Sequence, residues 1–174
     1  MDSIADEGGS PGGPTGVTKR SKQSAKGRNN VQINDAPNAS ITIIHGGRPR
    51  KVPLERALTP PGANAAPSRL LRARAGILGF VDRGGLLADL KRWLTEPDEQ
   101  EPAFACTLLA GKGGLGKTRL GVEMCEYARG NEWLAGLLTS SYDLEQVEAL
   151  AAAPRPRLIV IDYAETRVAQ LNAL

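Results

Sequence analysis

The sequence predicts an α/β protein: a parallel β-sheet with helices on its faces, incomplete at the C-terminus and preceded by a disordered N-terminal region. Three observations carry this. Apolar runs of strand length at Phe104–Ala110, Leu134–Leu138 and Leu158–Ile161 alternate with stretches of helical periodicity, a pattern that calls for crossover connections and so for parallel strands. A glycine-rich loop, Gly111 to Thr118, joins the first run to the first of those helices. Charge also shifts along the chain: residues 1–75 hold 12 Lys/Arg against 5 Asp/Glu, whereas residues 76–174 hold 10 against 14. The formal net charge of +3 therefore belongs to the N-terminal part and not to the folded core. With 174 residues and 41% apolar content, the chain suffices for one ordinary domain plus appendages.

Residues 1–30 are rich in Gly, Ser, Pro, Lys and Asn, with too few large apolar side chains to offset the entropy of ordering, and are expected to be disordered. Between residues 31 and 47 the character changes. Val31 and Ile33 alternate with polar neighbours, Asp35 to Ser40 supplies turn residues, and Ile41, Ile43 and Ile44 follow, which predicts a short β-hairpin. Low charge and strong β-propensity also make this segment similar to amyloid-type signalling motifs. Residues 48–68 contain Pro49, Pro53, Pro60, Pro61 and Pro67 and are expected to be a linker.

The remaining residues, 69–174, form the predicted domain. Leu86, Leu87, Leu90, Trp93 and Leu94 fall on one face of an amphipathic helix, and an acidic loop follows from Thr95 to Pro102. Phe104–Ala110 reads as a buried strand, Thr118–Arg129 as a helix stopped by Gly130-Asn131, and Leu134–Leu138 as a second strand. Asp143 with Gln146 three positions later forms a capping box for a second helix, which Pro154 and Pro156 end. Leu158 to Ile161 is a third strand ending at Asp162, and Val168, Leu171 and Leu174 begin a further helical pattern.

Gly111-Lys112-Gly113-Gly114-Leu115-Gly116-Lys117-Thr118 is a complete G-x-x-x-x-G-K-[ST] phosphate-binding loop. Its glycines allow a backbone turn tight enough to aim several N–H groups at a phosphate. Lys117 is placed to reach the β- and γ-phosphates, and the Thr118 hydroxyl suits Mg²⁺ at the positive end of a helix. Asp162, 45 residues after Lys117 at the end of an apolar strand, fits the Walker B carboxylate that helps hold Mg²⁺. Many related ATPases carry Glu directly after that Asp; here the place is Tyr163, and the nearest carboxylate is Glu165, a candidate for activating water.

Taken with Phe80-Val81-Asp82-Arg83-Gly84, with Arg119-Leu120 after the loop and with Tyr163 to Arg167 after the strand, these motifs resemble the nucleotide-binding region of STAND P-loop NTPases. This is the AAA-related class that includes NB-ARC and NACHT proteins, and the resemblance covers residues 68–174. Asp82 and Gly84 depart from the usual Phe-Val-Gly-Arg-Glu. The resemblance implies an ATP-dependent signalling switch that binds ATP or ADP with Mg²⁺, with Arg119 joining the loop in holding nucleotide, and a homo-oligomer of a longer parent protein. It also implies a further strand between the phosphate-loop strand and the Walker B strand, which would lie beyond Leu174, so the chain is expected to be an N-terminal fragment.

Lys112 also fits the K-G-G-x-G-K-[ST] loop of partitioning and Min-type ATPases, where it would reach a partner's nucleotide. Those proteins usually begin at this loop and carry an Asp-rich switch soon after it, neither of which is found here. The basic cluster Lys19 to Arg28 holds no aromatic residue for base stacking and reads as a solvated linker, not a nucleic-acid site. No apolar run approaches the ~20 residues of a membrane span, nothing resembles a signal peptide, and a cytoplasmic location is expected. Cys106 and Cys125 lack metal-site spacing and read as buried free thiols.

Overall fold

The computed structural model describes residues 30–33, 40–45, 48–82, 84–96 and 104–172; the readings of residues 1–29 and of the acidic stretch 97–103 lie outside these. Among the described residues five strands, β1 (Asn30–Ile33), β2 (Ser40–His45), β3 (Arg48–Glu55), β4 (Leu134–Leu138) and β5 (Arg157–Val160), form one sheet in that order. The helices are α1 (Pro67–Leu70), α2 (Leu86–Thr95), α3 (Lys117–Gly130), α4 (Leu144–Ala151) and α5 (Val168–Leu171). The architecture is mixed α/β.

The sheet is itself mixed, which corrects the expectation of a parallel one. β1–β2, β2–β3 and β3–β4 pair antiparallel, and only β4–β5 is parallel. The cause lies in Arg48–Glu55, which its prolines predict to be linker and which is instead the longest strand. Its pairing with β2 moves from Thr42↔Lys51 to Ser40↔Glu55, so Ile41 alone opposes Val52, Pro53 and Leu54. Pro53 thus sits in a bulge, where no ladder N–H is demanded of it, while its carbonyl accepts the Thr139 N–H at 2.9 Å. Val52 and Leu54 are fully buried, each worth about 1.5–3 kcal/mol, a gain that outweighs the poor strand propensity of proline. Beyond β3, residues 56–59 are ordered by Arg74, whose guanidinium donates to the Arg56 and Ala57 carbonyls at 2.6 and 3.1 Å and to Glu55 at 2.9 Å.

Alternation along β4 sends its side chains to two cores. Ala135 and Leu137, with Leu158 and Val160 of β5, pack under α2 and α3 against Leu90, Leu94, Leu120, Met124 and Cys125. Leu134 and Leu138, with Ile159 and Ile161, face α4 through Ala149 and Leu150, and Ile41, Ile43, Val52 and Leu54 extend this second core under the antiparallel strands. At Gly136 the strands come so close that a Cβ would lie 2.5 Å from the Glu55 carbonyl oxygen.

Local signals explain the helix ends. Asp82 accepts the Leu87 N–H at 3.3 Å and so takes up one of the open donors at the start of α2. The Asp143–Gln146 capping box is formed in both directions at the start of α4. Asn131 closes α3, its side-chain amide donating to the Tyr127 carbonyl at 2.9 Å.

Phe104–Ala110 differs most from expectation. It forms no strand and makes no backbone hydrogen bond among the described residues. Phe104 is 78% and Leu108 80% exposed, and only Leu109 packs against the α3 core. An apolar run makes a buried strand only where a neighbour takes up its N–H and C=O groups, and the described edge of β5 does not pair with it. Cys106, on this segment, is accordingly exposed and not buried, whereas Cys125 on α3 is buried.

Candidate functional site

The glycine loop ends where α3 begins. Gly116 is the N-cap at φ 87°, and Gly114 precedes it at φ 77°; both are in the left-handed region, where a Cβ is strained although nothing crowds either position. The loop from Gly111 to Gly116 is exposed, with Lys117, Thr118 and Arg119 half-buried behind it. The N–H groups from Gly113 to Thr118 find no acceptor among the described residues, the first satisfied one in this helix being Leu120, which donates to the Gly116 carbonyl at 2.9 Å. A row of free N–H donors at the positive end of a helix of fourteen residues favours a negatively charged oxygen group.

Lys117 folds back over this loop. Its ammonium donates to the Gly111 and Lys112 carbonyls at 2.6 and 2.9 Å, which holds the cation at the start of the loop. Thr118 points the other way, into contact with the end of β5. Its hydroxyl lies 3.0 and 3.1 Å from the two carboxylate oxygens of Asp162, one of which accepts its proton. β5 delivers Asp162 to this place because α3 lies directly on it: a Cβ at Gly121 would stand 3.0 Å from Val160 Cγ1. A hydroxyl and a carboxylate in contact are hard oxygen donors that fit Mg²⁺, which takes one or two protein ligands and completes its shell with phosphate and water.

The other candidate residues are arranged differently. Arg119 turns away from the loop, forming an ion pair with Glu123 at 2.7 Å and donating to the Ala73 carbonyl at 3.2 Å. The Lys112 side chain is exposed, as is Leu115, and Glu165 lies exposed in the turn Ala164–Thr166 without a hydrogen bond to Thr118 or Asp162.

Beside Asp162 the structure opens a cavity of about 330 Å³ whose lining includes Glu55, Arg74, Thr139, Ser140 and Arg167. Of these, only Arg167 belongs to a motif, as the last residue of the Tyr163-to-Arg167 segment quoted for the resemblance. Its guanidinium donates to the Leu138 carbonyl at 3.0 Å, to the Thr139 carbonyl, and through Nε to Gln170 Oε1. Among the described residues, no helix is long and apolar enough to cross a membrane. The chain matches no family model, and neither a curated protein nor a solved structure shows significant similarity to it.

Proposed function

We propose that this chain is the nucleotide-binding core of a STAND-type signalling switch, a P-loop NTPase that holds ATP or ADP with Mg²⁺. The reading rests chiefly on one observation: Thr118 and Asp162, 44 positions apart and each singled out by its own motif, are in contact at 3.0 Å. In this reading the N–H groups of Gly113 to Thr118 receive phosphate oxygens, and Lys117 exchanges the two carbonyls it now holds for the β- and γ-phosphates. Thr118 and Asp162 hold Mg²⁺, which when bound offsets the charge of the triphosphate. Arg119 supports the helix start through Glu123 and Ala73.

Glu165 is exposed and makes no hydrogen bond to the Thr118–Asp162 pair, so the arrangement supports holding nucleotide more strongly than rapid hydrolysis. A switch needs no more than that, since its states differ by what the site holds. Thermal unfolding tests the reading. ATP with Mg²⁺ at about 100 times its Kd is expected to stabilise the chain by about 2.7 kcal/mol and raise its Tm. An unchanged Tm for the wild type at millimolar ATP and Mg²⁺ would contradict it.

A further inference from the structure

Asp162 stands on a turn that the backbone does not favour. Tyr163 follows it at φ 55°, a left-handed conformation that is strained for a residue with a Cβ. Such a turn persists only where its surroundings hold it. Inside the turn, the Thr166 N–H and hydroxyl both donate to the Tyr163 carbonyl at 2.9 Å. These bonds tighten the turn but do not fix where it sits relative to the sheet.

Arg167 makes that connection. β5 pairs with β4 only as far as Val160 opposite Leu137, so the carbonyls of Leu138 and Thr139 lie past the ladder on that side. The guanidinium takes up both, donating to Leu138 at 3.0 Å and to Thr139, and its third nitrogen is held by Gln170. Gln170 in turn donates to the Ser140 carbonyl, and the Tyr142 hydroxyl donates to the Gln170 carbonyl at 2.9 Å. The planar fork of an arginine suits two successive carbonyls, whereas a lysine would hold one as a point charge.

We propose that Arg167 is a positioning residue for the magnesium carboxylate: by clamping the Asp162–Arg167 turn to the end of β4, it holds Asp162 against Thr118. Arg167 acts through the position of Asp162, its own guanidinium being taken up by Gln170 and the Leu138 and Thr139 carbonyls. The inference rests on the proposed nucleotide reading, and it assigns this arginine a task that the phosphate-loop motifs do not contain.

The test compares the wild type with R167K and R167A, using a fluorescent ATP analogue titrated with Mg²⁺ and, separately, in excess EDTA. Outer-shell partners of metal ligands typically contribute 10–100-fold in metal affinity. Both variants are therefore expected to need roughly tenfold or more additional Mg²⁺ for tight binding, R167A more than R167K, with affinity in EDTA unchanged. A second readout needs no ligand: amide exchange from Asp162 to Thr166 in the nucleotide-free protein should quicken in both variants. Should R167A fail to fold, R167K decides alone. A folded R167K with wild-type Mg²⁺ dependence and wild-type exchange overturns the proposal while leaving the nucleotide reading intact. A wild type that binds no nucleotide overturns both.

Discussion

The Thr118 hydroxyl and the Asp162 carboxylate meet at 3.0 Å, joining the first turn of α3 to the end of β5. Neither residue has this partner by sequence proximity; the packing of α3 on β5 brings them together. If the pair holds Mg²⁺, its two members should fail in the same way. Asp162→Asn and Thr118→Ala are each expected to lower Mg²⁺-dependent ATP binding by tenfold or more, about 1.4 kcal/mol, while Thr118→Ser keeps most of it. Calorimetric titration with and without Mg²⁺ checks this. Equal loss in the absence of Mg²⁺ would point to damage of the loop instead.

Gly136 tests whether the antiparallel strands are an integral part of the fold. A methyl group there meets the Glu55 carbonyl oxygen at 2.5 Å, and backbone cannot yield as a flexible side chain would. Gly136→Ala is expected to cost about 1–3 kcal/mol, as overpacking does elsewhere, and to lower Tm by several degrees. Denaturant unfolding measures it. An unchanged midpoint would mean that β3 is not seated on β4 in solution.

The two thiols should behave oppositely. Burial, helped by the charge of Glu126, pushes the Cys125 thiol up to about 12, against nearby Arg129 and Arg74 that pull it down. Cys106 is exposed. A thiol reagent at pH 8 is expected to label Cys106 within minutes and Cys125 only on unfolding. The folded state keeps the Cys125 proton where the unfolded state has lost it. Its contribution to stability is therefore complete below about pH 9, the ordinary thiol value, and declines as pH rises from there towards about 12. Comparing Cys125→Ser with the wild type across that window isolates the effect.

Much of the parallel half was legible because its signals are local. The capping box at Asp143 and the apolar faces of α2 and α3 depend on neighbours a few positions away. The sharp glycine turn before α3 was legible for the same reason. Arg48–Glu55 was not, because whether Pro53 disrupts a strand depends on a bulge opposite Ile41 and on an acceptor role toward Thr139, both set by distant residues. Phe104–Ala110 misled in the opposite sense: hydrophobicity marks what could be buried, and pairing decides whether it is. Arg167 stood in a quoted motif, but its task was hidden because its partners are main-chain carbonyls at the end of β4, which leave no mark in side-chain pattern.

The central claim is that Gly111 to Thr118 holds the phosphates of ATP. Equilibrium binding of ATP with Mg²⁺ to the wild type, Lys117→Ala and Lys112→Ala tests it most directly. The account predicts saturable binding by the wild type, loss of tenfold or more in Lys117→Ala, and near-wild-type binding by Lys112→Ala, since the Lys112 side chain is exposed and Lys117 meets that residue only at its main-chain carbonyl. Binding that survives unchanged in a folded Lys117→Ala would contradict it.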